Sequence, residues 1–178
     1  MVSLTFYFWS FVIIFAVIGG MRGWAREMLV TFSAILGLFL ITVLERYVPM
    51  IRDSFAQPGS ESQFWLRTLI FLLIVFFGYE TPNIPKLAGP RFARERLQDT
   101  LLGILLGALN GYLIFGTIWF WMHQANYPFE QIAAPIPGTP WGDAALKMLA
   151  YMPPQWLGIP VIYFAIGLAF IFVIVVFI

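Results

Sequence analysis

Two long uncharged runs, residues 4–19 and 28–44, flank a short charged cluster, Gly20-Met21-Arg22-Gly23-Trp24-Ala25-Arg26-Glu27. Each run approaches the ~20 apolar residues, range about 17 to 25, that a helix needs to cross a bilayer's hydrocarbon core. Of 178 residues, 61% are hydrophobic and 11% charged. An average soluble chain is about 25% charged. A soluble domain of this length could not hide so much apolar surface, so the surplus must face lipid. The formal net charge of +1 and the lack of a basic stripe with interleaved aromatics argue against nucleic acid. The absence of cysteine excludes disulfides, thiolate catalysis and cysteine-bound metal.

The pattern predicts an all-α, polytopic transmembrane protein with about five spans, over residues 4–20, 28–44, 64–79, 100–122 and 157–178. No Lys or Arg precedes the first run and no small-x-small site precedes Met21, so it reads as an uncleaved span and not as a signal peptide. Arg67, in the first turn of the short third span, can snorkel to the headgroups. The fifth span has no polar flank after Ile178, so its end must reach an interface or a partner. Three parts follow: a four-span core (1–122), a proline-rich extracytoplasmic connection with a short interfacial helix (123–156), and an additional C-terminal transmembrane helix (157–178).

The connections differ in character. Residues 45–63 are polar, with Pro58-Gly59-Ser60 as a turn, and residues 80–99 hold Pro82, Pro85 and Pro90 before a charged run. Residues 92–99 read as a short surface helix feeding the fourth span. Thr139-Pro140 reads as an N-cap followed by proline at the first helical position. Trp141, Ala145, Met148, Leu149 and Met152 then fall largely on one face, and Pro153-Pro154 ends the helix. The connections after spans one and three carry Arg22, Arg26, Lys86, Arg91, Arg94 and Arg96, against Arg46, Arg52, Arg67 and Lys147 on the other side. The excess places both of those connections and the C-terminus in the cytoplasm and the N-terminus outside.

At the neck, Glu27 suits the positive end of a helix dipole. Arg22 or Arg26 could pair with it or bind an anionic lipid phosphate. Gly20 and Gly23 permit a sharp turn or a close helix approach. Gly103, Gly107 and Gly111 form a stripe at four-residue spacing where another helix can pack backbone to backbone. Ser33 and Gly37 of the second span are the candidate facing pair. Asn110 is the strongly polar side chain expected at mid-membrane, where its amide needs a hydrogen-bonded partner. Asp99 reads as an N-cap of the fourth span. His123, the sole histidine, stands without a visible nucleophile or further metal ligands.

The pattern Gly20-x-Arg22-Gly23-x-x-Arg26-Glu27 between two spans, followed by Asp99-x-x-x-Gly103-x-x-x-Gly107-Ala108-Leu109-x-Gly111, resembles the bacterial colicin V production protein family over roughly residues 8–122. The resemblance implies a multi-pass protein of the bacterial cytoplasmic membrane with no known enzymatic activity, associated with colicin V production and envelope homeostasis. The chain departs from the family at Asn110 and Thr100, where arginine is common, at Thr81-Pro82-Asn83-Ile84-Pro85, and in its fifth span.

The resulting expectation is a non-catalytic membrane protein with no active-site or metal residues. It would be a scaffold or accessory subunit of a larger complex, with an energy-transducing photosynthetic or respiratory assembly as one host. Expected partners are membrane lipids and other integral subunits, met through the glycine stripe and the C-terminal span. No cofactor is expected, and a bound lipid is compatible with the neck. The alternative is a transporter or channel linked to peptide export or envelope homeostasis.

Overall fold

The computed structural model describes residues 3–49, 60–80 and 93–177 of the chain. The expected turn at Pro58-Gly59 and the proline-rich stretch 81–92 lie outside the described residues, as does Ile178. The protein is all-α: α1 (Leu4–Arg22), α2 (Trp24–Tyr47), α3 (Glu61–Tyr79), α4 (Ala93–Gln124), α5 (Pro140–Leu149), α6 (Pro153–Trp156) and α7 (Val161–Phe177). Among the described residues, four helices are long and apolar enough to cross a membrane: α1, α2, α3 and the Arg96–Gln124 part of α4. The expected fifth span is the shorter α7, of 17 residues.

Side-chain caps set several helix starts. The Ser3 hydroxyl accepts from the Thr5 N–H at 3.2 Å, and the Ser60 hydroxyl accepts from the Gln63 N–H at 3.2 Å. Ser60 thereby starts α3 at Glu61, one turn earlier than the apolar run suggests. The expected surface helix over 92–99 is no separate element. Nothing between Phe92 and Thr100 breaks a helix, and α4 runs unbroken for 32 residues.

The four long helices alternate in direction between the neck end and a far end. At the neck end Arg22 of α1 reaches the last residue of α3, donating to the Tyr79 carbonyl at 3.0 Å. At the far end Arg67 of α3 donates to both carboxylate oxygens of Glu45 of α2, and its NH1 donates to Gln124 of α4 at 2.8 Å. Arg67 therefore lies in a three-helix polar clasp, where the sequence suggested snorkelling. α7 runs back along α2, with Tyr163 against Phe39 and Phe172 against Phe32.

The core has two seams. α1 lies on α4, with Phe11 and Phe115 stacked at 4.0 Å and Phe8 tilted on Trp119. α2 lies on α3, and Phe71 of α3 meets Trp121 of α4 edge-on. Val30, Ala34, Phe71 and Ile162 are fully buried.

The proline-rich connection is ordered onto this core. Thr139 caps α5 by accepting from the Gly142 N–H at 3.1 Å, with Pro140 at the first helical position. The face of α5 turned inward is Gly142, Ala145 and Leu149. Trp141, placed by its spacing on the same face as Ala145, is 75% exposed. Amphipathic spacing groups residues on a face but does not distinguish core from bilayer interface, where tryptophan is at home. Pro153-Pro154 opens the short helix α6, with Pro153 seated against Gly116 of α4. Tyr112 of α4 ties this segment down, donating to the Tyr151 carbonyl and accepting from the Trp156 indole at 2.9 Å. Burial pushes the Tyr127 phenol above its ordinary value, while the hydrogen bond from the Trp119 indole acts the other way.

Candidate functional site

The neck is a tight junction made possible by Gly23. α1 ends at Arg22 and α2 begins at Trp24, so one residue reverses the chain. That residue has φ +85°, a conformation that strains any residue with a Cβ. Space is equally short there, because a Cβ on Gly23 would fall 2.7 Å from an Asp99 carboxylate oxygen. The same oxygen accepts from the Trp24 N–H at 3.1 Å. Asp99 is therefore not the N-cap of α4, in which it sits at the seventh position. It caps α2 from the side, supplying the acceptor that Gly23 cannot and placing negative charge at a helix N-terminus.

The glycine stripe faces α1, not Ser33 and Gly37 of α2. A Cβ on Gly19 would lie 2.7 Å from the Gly107 Cα, and one on Gly111 would lie 3.0 Å from the Val12 Cα. Gly103 meets the Gly19 backbone in the same way. Ser33 and Gly37 instead receive α3, at Gly78 and Phe71. Backbone contact of this kind is how small residues hold membrane helices together without a hydrophobic driving force.

Close approach along these seams encloses a polar cluster. Glu27, in the first turn of α2, has no solvent exposure, and neither has Asn110 of α4. Arg22 NH1 donates to Glu27 Oε1 at 2.8 Å, and Asn110 Nδ2 donates to Glu27 Oε2 at 2.8 Å. The same amide nitrogen donates to the Glu27 carbonyl at 2.9 Å, and Asn110 Oδ1 accepts from the Thr31 hydroxyl at 2.7 Å. Arg22 completes its shell with the Tyr79 carbonyl and by lying over the Tyr79 ring, 4.4 Å from its centroid. The cluster thus joins all four long helices, and both carboxylate oxygens and both ends of the amide are satisfied.

Asn110 falls near the middle of α4, next to Gly111, whose backbone packs on Val12 in the middle of α1. Its side chain reaches the carbonyl and carboxylate of Glu27 in the first turn of α2. The cluster accordingly runs from Arg22 and Tyr79 at the ends of α1 and α3 inward to Asn110 at the middle of α4. Gly20 is half-buried against the Ile104 side chain, and Arg26 is exposed. Two members were missed from sequence, Thr31 and Tyr79. Thr31 carried a signal, since it stands four residues after Glu27 and so on the same face of α2. Tyr79 acts through its carbonyl and ring face, which residue type does not reveal. Its hydroxyl is buried without a hydrogen-bond partner.

His123 is half-buried, with its ring edge-on to Tyr127 at 5.7 Å. Among the described residues, no group of three His, Asp or Glu side chains could hold a metal ion. What the neck can do chemically is hold charge in an apolar surround and lock helices in register. In comparisons with known proteins, no protein-family model, no curated protein and no solved structure matches the chain.

Proposed function

We propose that this chain is a non-catalytic integral membrane protein that works by helix packing, as a scaffold or accessory subunit of a larger membrane assembly. The observation that carries this reading is the closed polar cluster. Glu27, Asn110, Thr31 and Arg22 satisfy one another inside the bundle, whereas α7 presents a continuous apolar face. Phe164, Leu168, Ile171 and Val175 of that face are between 61% and 76% exposed. Since α1 already fills the glycine stripe, a partner subunit would meet α7 and not the stripe. Energy-transducing complexes, photosynthetic or respiratory, are hosts of the right kind.

Membership of the colicin V production family belongs to the same proposal. It carries with it a place in a bacterial cytoplasmic membrane and an outside N-terminus. It is supported by the meeting of the two halves of the motif: Asp99 bonds the neck backbone across 75 residues of sequence. Purification in mild detergent tests the scaffold role. Co-purifying membrane subunits are expected; a stable, monodisperse monomer without them overturns it.

One observation favours a second reading, a transporter or channel: an ionisable residue inside the span region marks a transport site by default, and Glu27 is one. Reconstituted flux that is lost in Asn110→Leu, with folding retained, would establish that reading over the first.

A further inference from the structure

On the outer side of the α1–α4 seam, an open groove of about 370 Å³ is lined by Ile13, Ala16, Val17, Gly20, Met21, Thr100 and Ile104. Its lining is almost wholly apolar. Small residues make its floor, Ala16 and Gly20 of α1 standing four apart. The groove runs along the helices from Ile13, inside the span, to Met21 and Thr100 at the neck. Its neck end is where the character changes. The Thr100 side chain opens there, and Arg96 stands one turn earlier on the same face of α4. Arg96 is exposed and forms no ion pair with a described residue.

We infer that this groove holds one anionic phospholipid of the neck-side leaflet, with an acyl chain along Ala16 and Gly20 and its phosphate at Arg96 and Thr100. Direction and charge both argue for a lipid. The apolar stretch lies in the span, the cation lies at its interfacial end, and a lipid of that leaflet places tail and phosphate in the same order. A transmembrane helix of another copy would fill the apolar part and leave Arg96 unanswered. Arginine near the membrane surface attracts anionic headgroups, and an acyl chain in a groove adds apolar burial.

Native mass spectrometry of the detergent-purified full chain, with phosphatidylglycerol or phosphatidylcholine added at equal concentration, tests the proposal. Phosphatidylglycerol should be retained about fivefold better, the equivalent of the about 1 kcal/mol that one arginine adds near an anionic headgroup. Arg96→Gln should abolish the preference while leaving weak binding of both lipids. Val17→Trp, which crowds the groove from an exposed position, should weaken both. Arg46→Gln, exposed at the far end, should change neither. Equal retention of the two lipids overturns the proposal, as does an unchanged preference in Arg96→Gln. Disulfide-linked dimers formed through Val17→Cys in bilayers would show a second copy in the groove and overturn it equally.

Discussion

Arg22 and Glu27 are ion-paired, but the two are not placed alike, and the difference has a measurable consequence. The Glu27 side chain has no exposure, whereas the Arg22 side chain keeps 20%. Arg22→Gln strands a carboxylate that cannot turn to water, and it also removes the donor to the Tyr79 carbonyl. Breaking a buried pair in this way costs about 3 to 5 kcal/mol. Glu27→Gln keeps an acceptor for Asn110 and leaves an arginine long enough to swing toward the interface. Its cost should stay near that of one charge-assisted hydrogen bond, about 1.5 to 3 kcal/mol. In the double variant neither charge remains, so the loss should be close to that of Glu27→Gln alone. The coupling between the two sites should then equal the Arg22→Gln loss, about 3 to 5 kcal/mol, at or above the upper end of the ~0.5 to 3 kcal/mol found for contacting residues. Detergent-exchange unfolding in sodium dodecyl sulfate, followed by tryptophan fluorescence, measures each variant. Losses that add to within about 0.5 kcal/mol would refute the pairing. A costlier Glu27→Gln than Arg22→Gln would refute the asymmetry.

Other perturbations probe the seams and caps around the cluster. Gly107→Ala drives a methyl into the Gly19 backbone and should destabilise by about 1 to 3 kcal/mol in the same assay. Gly167→Ala, with nothing within 4 Å, should be neutral or stabilising by up to about 1 kcal/mol. Asp99→Ala removes the acceptor for the Trp24 N–H and should cost about 1 kcal/mol, with faster amide exchange confined to the start of α2. Arg67→Gln opens the clasp with Glu45 and Gln124; a loss of about 1 to 3 kcal/mol is expected, additive with Asp99→Ala because the two lie at opposite ends.

Much of the architecture was legible because hydrophobic runs and caps are local signals. The apolar runs gave α1, α2 and α3, and Thr139-Pro140 gave the start of α5. The continuity of α4 was legible too, since no breaker separates Phe92 from Thr100, but the charged run there suggested a change of element. Pairings between helices were less accessible. The glycine stripe announced a close approach without naming the partner, because every small residue on a neighbouring span satisfies the same spacing rule. Arg22 and Glu27 are near in sequence, so their pairing could be proposed, but Asn110 lies 83 residues beyond Glu27 and no local pattern joins them. Asp99 shows the same limit. Its residue type fits a cap, and only the fold decides that the capped helix is α2.

The proposed scaffold role requires that Glu27, Asn110 and Thr31, buried and hydrogen-bonded together, be out of reach of water and of any substrate. Because the chain contains no cysteine, single introduced thiols report access without background. In native membranes, Thr31→Cys and Asn110→Cys should resist a membrane-impermeant maleimide from either side, while Arg96→Cys and Asp143→Cys should label readily. Labelling at Thr31→Cys or Asn110→Cys at rates near those of the exposed positions, in protein that remains folded, would contradict the claim and open the cluster to a transport pathway.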